Sequence, residues 1–166
     1  MDADIEEIGI ALKGEEAMQE YCKAERPGIL ALDAKQLTET MASLFPEVDR
    51  KTLLENQTMG QGVVDSLREA LKTGSDGRVD DMLAFVQPWG FELGEIRVPV
   101  LLYHGSEDRS VPFGHGQWLA VHLPQDQVQP HLLQGEGHMS IFLRRMDEML
   151  DEVLAVVAQA QEVRQG

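Results

Sequence analysis

The first half of the chain places apolar residues at steps of three and four positions, the spacing of a helix with one buried face. This spacing predicts a helix that ends at Pro27-Gly28, a second helix capped by Asp33, and a break at Gly60-x-Gly62 before further helices. The apolar positions behind these predictions are Ile5, Ile8 and Leu12; Leu37, Met41, Leu44 and Phe45; Val64, Leu67 and Leu71; and Val79, Met82, Leu83 and Val86. Up to Pro88 the pattern therefore predicts amphipathic helices without strands.

The pattern changes near residue 98, where two short apolar runs replace the helical spacing. Val98–Tyr103 and Val128–Leu133 have the length of strands, and the first is rich in Val and Leu, as in a buried parallel sheet. Pro112–Leu123 between them has helical spacing, so it predicts a crossover helix that makes the two strands parallel. An apolar stripe from Phe142 to Val157 predicts a last helix that packs on the sheet.

Each predicted strand leads into a turn that carries an ionisable side chain. Gly105 precedes Asp108, and the turn at Gly135 and Gly137 precedes His138. Because the carboxyl ends of parallel strands meet at one edge of a sheet, we expect both turns to lie there. An aspartate so placed accepts a hydrogen bond from an imidazole N–H and stabilises the imidazolium, which is the orienting half of a Ser-His-Asp system.

At these positions the chain resembles the α/β-hydrolase family. The matching pieces are Val98-Pro-Val-Leu-Leu-Tyr-His-Gly-x-x-Asp-x-x-Val-Pro112 and Gly135-x-Gly-His138, with the acid before the base as in the family. Asp80–Phe91 resembles the segment by which cap-bearing members re-enter the core. The resemblance implies an α/β chain with a partial α/β-hydrolase fold. Its helical cap (lid) would be residues 1–88, and residues 89–166 would be the carboxyl-terminal part of the core.

The same resemblance implies catalytic roles for Asp108, as the triad acid, and His138, as the triad base. The family's nucleophile lies in a Gly-x-Ser-x-Gly-like elbow between a strand and a helix, and we find no such elbow in this chain. Ser75 has glycines on both sides but follows helical spacing instead of a strand. Ser106 and Ser140 are poorly placed for this role. Cys22 is interpreted as a small buried apolar residue.

These observations lead to a functional expectation with an open alternative. The chain is expected to supply the acid, the base and the cap of a serine-type ester or amide hydrolase that acts on a small-molecule substrate without a cofactor. Alone it is expected to be inactive, because the nucleophile is missing. It would then need its missing amino-terminal half or form a homo-oligomer. The alternatives are a non-catalytic binding or assembly module that self-associates through exposed strands, and a helical interaction protein.

Composition narrows the classes of partner and the location. The chain has 29 acidic and 14 basic residues, a formal net charge of −15, which argues against nucleic acids and anionic membranes because both require basic surfaces. One cysteine excludes an internal disulfide. No apolar run is long enough for a membrane span, and no basic segment follows Met1, so we expect a cytoplasmic location.

Two further groups of side chains, one aromatic and one of metal-binding residue types, occur in the sequence. Trp89 and Phe91 are predicted to anchor a core. Residues of the types that bind metals are His104, His115, His122, His131, Asp108 and Glu136. Their spacing matches no helical metal motif, so no metal is expected. His115 and His122 are predicted to be surface or partly buried helix residues.

Overall fold

The protein is a mixed helical and stranded chain in which helix prevails. The computed structural model describes residues 2–33, 35–36, 39, 45–55 and 57–165. The helices span Asp2–Ala11 (α1), Glu15–Ala31 (α2), Glu47–Glu55 (α3), Gln57–Ala70 (α4), Asp76–Phe85 (α5), Phe113–His122 (α6) and His138–Gln165 (α7), and the strands span Val100–Gly105 (β1) and Val128–Leu133 (β2). Among the helices described, none combines the length and the apolar character needed to cross a bilayer.

The chain divides into two compact units. The helical unit comprises Met1–Ser43 and Leu53–Phe91, and the stranded unit comprises Leu44–Thr52 and Glu92–Gly166. The short segment from Leu44 to Thr52 therefore belongs to the stranded unit, although the residues before and after it in sequence belong to the helical one.

The helical unit is built around the side chains that α1, α2 and α5 turn toward one another. One cluster of buried side chains in this unit contains Ala11, Met18, Cys22 and Val79. Burial raises the pKa of the Cys22 thiol above its ordinary value, which agrees with its interpretation as a small apolar core residue.

Two helix boundaries predicted from glycine and proline are wrong. Helix α2 continues through Pro27-Gly28 to Ala31, and α4 runs through Gly60-x-Gly62. Arg26, just before Pro27, donates from Nε to the carbonyl oxygen of Leu71 at 2.7 Å, and Arg68 donates to the carbonyl oxygen of Leu32, just beyond the end of α2, at 3.0 Å. Tertiary packing thus outweighs the local cost of a proline or glycine inside a helix, which is about 1–3 kcal/mol.

The predicted cap at Asp33 is confirmed, while most of the helix that follows lies outside the described residues. Asp33 Oδ1 accepts the backbone N–H of Gln36 at 2.7 Å, and Gln36 Oε1 accepts the N–H of Asp33 at 3.1 Å. This reciprocal pair is a capping box. The apolar positions Leu37, Met41 and Leu44 are among those the structure does not describe.

The two strands of the stranded unit form a parallel pair, as the sequence predicts. The register runs from Val100 opposite Val128 to Gly105 opposite Leu133. Strand β2 has its predicted bounds, whereas β1 begins two residues later than predicted, just after Pro99. Proline has no N–H to donate to a ladder, which explains this later start.

The prediction that Trp89 and Phe91 anchor a core is wrong. Both side chains are exposed, and they stack on each other with ring centroids 5.9 Å apart. Mutual stacking removes part of each ring from water without a surrounding core.

Candidate functional site

Asp108 lies in the turn after β1. One of its carboxylate oxygens binds backbone N–H groups, and the other binds the imidazole of His138. Oδ1 accepts the backbone N–H groups of Ser110 at 2.9 Å and Val111 at 2.8 Å. The side chain is only 7% exposed. Because the turn already binds Oδ1, the carboxylate is held in one orientation and Oδ2 is left to bind a side chain.

His138 is the first residue of α7, and its ring meets that second oxygen. The Nδ1 atom lies 3.0 Å from Asp108 Oδ2, so the structure brings together the two side chains that the sequence places at the strand ends. A carboxylate only accepts, so Nδ1 carries the hydrogen in this bond and the neutral ring keeps its lone pair on Nε2. The His138 side chain is 43% exposed, which leaves the ring open to a substrate or a further group.

The two turns are tied to each other as well as to their strands. The N–H of Glu107 donates to the carbonyl oxygen of Glu136 at 2.8 Å, and the N–H of Gly135 donates to Ser106 Oγ at 2.9 Å. A Cβ atom on Gly105 would lie 2.2 Å from the carbonyl oxygen of Glu136. Gly105 therefore permits the close approach that brings Asp108 and His138 within hydrogen-bond distance.

His104, at the end of β1, is a buried neighbour of the acid. Its Nε2 lies 3.0 Å from the carbonyl oxygen of Val111, so it donates there, and 3.7 Å from Asp108 Oδ2. It thus supports the turn that holds Asp108. Sequence reasoning considered His104 only as a metal ligand, and the available signal was its place in an otherwise apolar strand.

A cleft of about 430 Å³ opens beside the Asp108–His138 pair. This volume lies in the range of small-molecule sites, which are mainly apolar with a few polar groups. Besides the pair, the cleft is lined by Tyr103, His104, Gly105, Val111, Met139, Ile141, Phe142 and Met149.

Of the nucleophiles considered from sequence, the structure brings none into hydrogen-bond contact with His138 within the residues it describes. Ser106 Oγ accepts the N–H of Gly135, and the fully buried Ser140 accepts the N–H of Gly137. Ser75 precedes α5 in the helical unit and follows a helix, not a strand. Cys22 is buried in the core of that unit.

The histidines considered as metal ligands are dispersed. His115 and His122 lie exposed on α6, as predicted. His131 on β2 instead groups with Glu148 and Glu152 of α7, whose ligand atoms all lie within 4.8 Å of one another. His131 Nε2 is 3.0 Å from Glu152 Oε2, the distance of an ordinary imidazole–carboxylate pair.

Sequence reasoning missed Asp49, the one acidic side chain of the segment Leu44–Thr52 that reaches the backbone of His138. Its carboxylate accepts the N–H of His138 at 2.8 Å. No local signal announces this contact, because 89 positions separate the two residues.

Comparisons with known proteins give no match for this chain. No family model matches it, and neither does any curated protein or solved structure.

Proposed function

We propose that this chain is the cap and the carboxyl-terminal core segment of an α/β-hydrolase, with Asp108 as the triad acid and His138 as the triad base. The supporting observation is the 3.0 Å contact between Asp108 Oδ2 and His138 Nδ1, at the carboxyl ends of two parallel strands. Open α/β sheets carry their ligands and reactive groups at that edge. The cleft beside the pair supports the same assignment.

In this mechanism His138 handles the proton and Asp108 holds the ring. The Nε2 atom of His138 takes the proton of a serine hydroxyl as the serine oxygen bonds to the carbonyl carbon of the substrate, and gives it to the leaving alkoxide or amine nitrogen as the scissile bond breaks. Water then attacks the acyl-serine in the same way: Nε2 takes the proton of the water and returns it to the serine oxygen as the acid product leaves. Asp108 accepts the Nδ1–H throughout and stabilises the imidazolium that forms. The backbone bonds to Oδ1 keep Asp108 from turning away between the two steps.

The serine and the oxyanion-hole amides belong, in this proposal, to a segment that precedes Met1. The cap is assigned to residues 1–88 and the core segment to residues 89–166, although Leu44–Thr52 within the first range belongs to the stranded unit. The substrate is a small ester or amide, since the cleft is mainly apolar with the imidazole at one side. No metal or cofactor takes part in the proposed reaction.

The experiment begins with the chain alone and then adds the coding sequence that precedes it. The purified chain is expected to hydrolyse a nitrophenyl ester no faster than its His138→Ala variant. The extended chain is expected to react with a fluorophosphonate at a serine in a strand–turn–helix segment. Asp108→Asn should then lower kcat on the order of 10⁴-fold, because the imidazole loses its orienting acceptor.

Two results contradict the proposal. The first is turnover by the chain alone that His138→Ala abolishes, which would place a nucleophile within it. The second is an upstream sequence without a serine elbow. Asp147→Asn, an exposed carboxylate on α7, is the matched control and should leave kcat unchanged.

A second candidate function, a self-associating assembly module without catalysis, is favoured by the uncovered surface of the stranded unit. Within the described residues each strand pairs on one side only. Helix α7 also exposes an apolar stripe made of Leu150, Val153, Leu154 and Val157. In the hydrolase proposal the rest of the sheet covers such surface, whereas in an assembly module a second copy of the chain does.

A further inference from the structure

The fully buried carboxylate of Asp49 lies at the amino end of α7, directly beneath the backbone of His138. Asp49 is 0% exposed. Its Oδ2 accepts the N–H of His138 at 2.8 Å, and its Oδ1 accepts those of Met139 at 3.1 Å and Ser140 at 2.7 Å. The first N–H groups of a helix have no partner within the helix, so one side chain satisfies three of them.

Gly137 and Ser140, next to this contact, leave room for the Asp49 carboxylate and complete the hydrogen bonds of the first turn of α7. A Cβ atom on Gly137 would lie 2.4–2.5 Å from the Asp49 carboxylate, so a larger residue there would push the carboxylate away. The N–H of Gly137 itself donates to Ser140 Oγ at 2.8 Å. Every N–H from Gly137 to Ser140 is therefore bound, and these bonds hold the first turn of α7 without involving the imidazole.

The origin of the carboxylate distinguishes this arrangement from an ordinary helix cap. The residue that precedes α7 normally caps a helix with its own side chain, but here that residue is Gly137, which has none. Asp49 of α3 takes that place from a distant part of the sequence. The negative charge also suits the positive end of the α7 dipole.

We propose that Asp49 is a positioning residue for the base: it fixes the backbone of His138 so that Nδ1 reaches Asp108. Asp108 then fixes the orientation of the His138 ring, and Asp49 fixes the position of the His138 backbone. The catalytic meaning of this positioning rests on the proposed function, whereas the positioning itself is a property of the folded chain and is testable without catalysis.

The substitution Asp49→Asn separates positioning from general support of the fold. An amide has nearly the shape of the carboxylate but only one acceptor oxygen. If that oxygen keeps the N–H groups of Met139 and Ser140, the amide NH₂ faces the N–H of His138, which displaces that residue specifically. If the amide is reversed, the other two bonds are lost. Thr52→Val is the matched control, because Thr52 is a buried residue of the same helix whose hydroxyl donates to the carbonyl oxygen of Val48 in that helix.

The readout is the tautomer of His138, measured from the imidazole nitrogen signals of the ¹⁵N-labelled chain, together with amide hydrogen exchange at residues 138–140. In the unmodified chain we expect the Nδ1–H tautomer and protected amides. In Asp49→Asn and Asp49→Ala we expect a mixture of tautomers, and exchange about 10- to 100-fold faster, the loss of one hydrogen bond to a charged group. Thr52→Val should retain the unmodified pattern.

The proposal is overturned if the amides of residues 138–140 are unprotected in the unmodified chain, a measurement that needs no variant. It is also overturned if the His138 tautomer is unchanged in folded Asp49→Asn, or if Thr52→Val alters it equally. The signals of the other histidines and the far-ultraviolet circular dichroism report whether each variant is folded. A missing upstream serine would contradict the hydrolase assignment and leave these measurements unaffected, so the two failures are distinguishable.

Discussion

At the scale of single residues, the acid and the base are held by bonds of different kinds. Asp108 is fixed by two backbone donors from its own turn, which are local contacts between neighbours in sequence. His138 is fixed through its ring by Asp108 and through its backbone by Asp49, and neither partner is a neighbour in sequence. The position of the acid Asp108 can therefore be predicted from a short motif, whereas the position of the base His138 depends on the fold.

Tyr103, which lines the cleft, gives a prediction for alkaline pH. Burial, with a smaller effect from Glu152, raises the pKa of Tyr103 to about 12. The folded chain thus holds the phenol proton more tightly than the unfolded chain, where the pKa is about 10. Ionisation of Tyr103 should leave the free energy of unfolding unchanged below about pH 10. As the pH rises from about 10 toward 12, ionisation should lower the free energy of unfolding by roughly 2 kcal/mol.

Denaturation with urea at pH 9 and pH 11.5 measures this effect. Tyr103→Phe should lose most of the alkaline dependence. The pKa of Tyr21 is also raised by burial, but that residue is present in both proteins, so the difference between them isolates Tyr103. An equal pH dependence in both proteins would contradict the prediction.

Cys22 gives a prediction about reactivity. The thiol is fully buried and burial raises its pKa, so it is both inaccessible and short of thiolate at neutral pH. An aromatic disulfide reagent should react much more slowly with the native chain than with the chain in urea. Because this is the single cysteine of the sequence, the released chromophore reports Cys22 alone. Equal rates in the two conditions would show that the thiol is accessible.

At the scale of elements, the stranded unit depends on the close approach of the turns that follow β1 and β2. These turns share a backbone bond from Glu107 to Glu136 and a side-chain bond through Ser106. The parallel register sets both turns at one edge of the sheet. The geometry of the Asp108–His138 pair is therefore a property of two elements and their connection, and not of either motif alone.

Gly105→Ala tests this dependence. The added methyl group would meet the carbonyl oxygen of Glu136 at 2.2 Å, so the turns must separate, and we expect a loss of about 1–3 kcal/mol in the free energy of unfolding. Gly114→Ala is the matched control, because nothing lies within 4 Å of its added methyl group and alanine favours a helix.

Urea denaturation of both variants measures the difference. Gly114→Ala should be unchanged or slightly more stable than the unmodified chain. If Gly105→Ala were as stable as Gly114→Ala, the turns would not be as closely packed as we describe.

At the scale of the whole molecule, the uncovered surface and the charge act against each other. The exposed stripe of α7 and the unpaired strand edges favour association. The formal net charge of −15 opposes it, because copies of the chain repel each other at low ionic strength. The state of the isolated chain is set by this balance.

We expect the isolated chain to self-associate, and more strongly when salt screens the repulsion. Leu154→Glu, at a position 65% exposed on the stripe, should reduce the association. Leu12→Glu, at a position 70% exposed in the helical unit, is the control and should have little effect. Light scattering at about 0.05 and 0.5 M salt measures the mass. A well-folded monomer in both conditions would contradict the expectation.

Much of the secondary structure is predicted correctly from local sequence patterns. The predictions are wrong where contacts between distant parts of the chain determine the structure. Strand β2 and the cap at Asp33 occur where the sequence predicts them, because a short apolar run and a capping side chain are signals that span only a few residues. Helix α2 continues past Pro27 to Ala31, and the carbonyl oxygen of Leu32 just beyond its end accepts a hydrogen bond from the distant Arg68 at 3.0 Å. Trp89 and Phe91 stack on each other at the surface, although their size alone favours a core.

The sequence by itself determines the parallel strand–helix–strand unit and the presence of Asp108 and His138 at its edge. These features depend on residue spacing and on the handedness of the crossover, which act within about 40 residues. Only the tertiary structure decides that Asp49 accepts the backbone N–H of His138, which lies 89 positions away in the sequence. Such contacts join segments far apart in the chain, and they form because buried N–H groups and carboxylates must find partners wherever the folded chain brings them together.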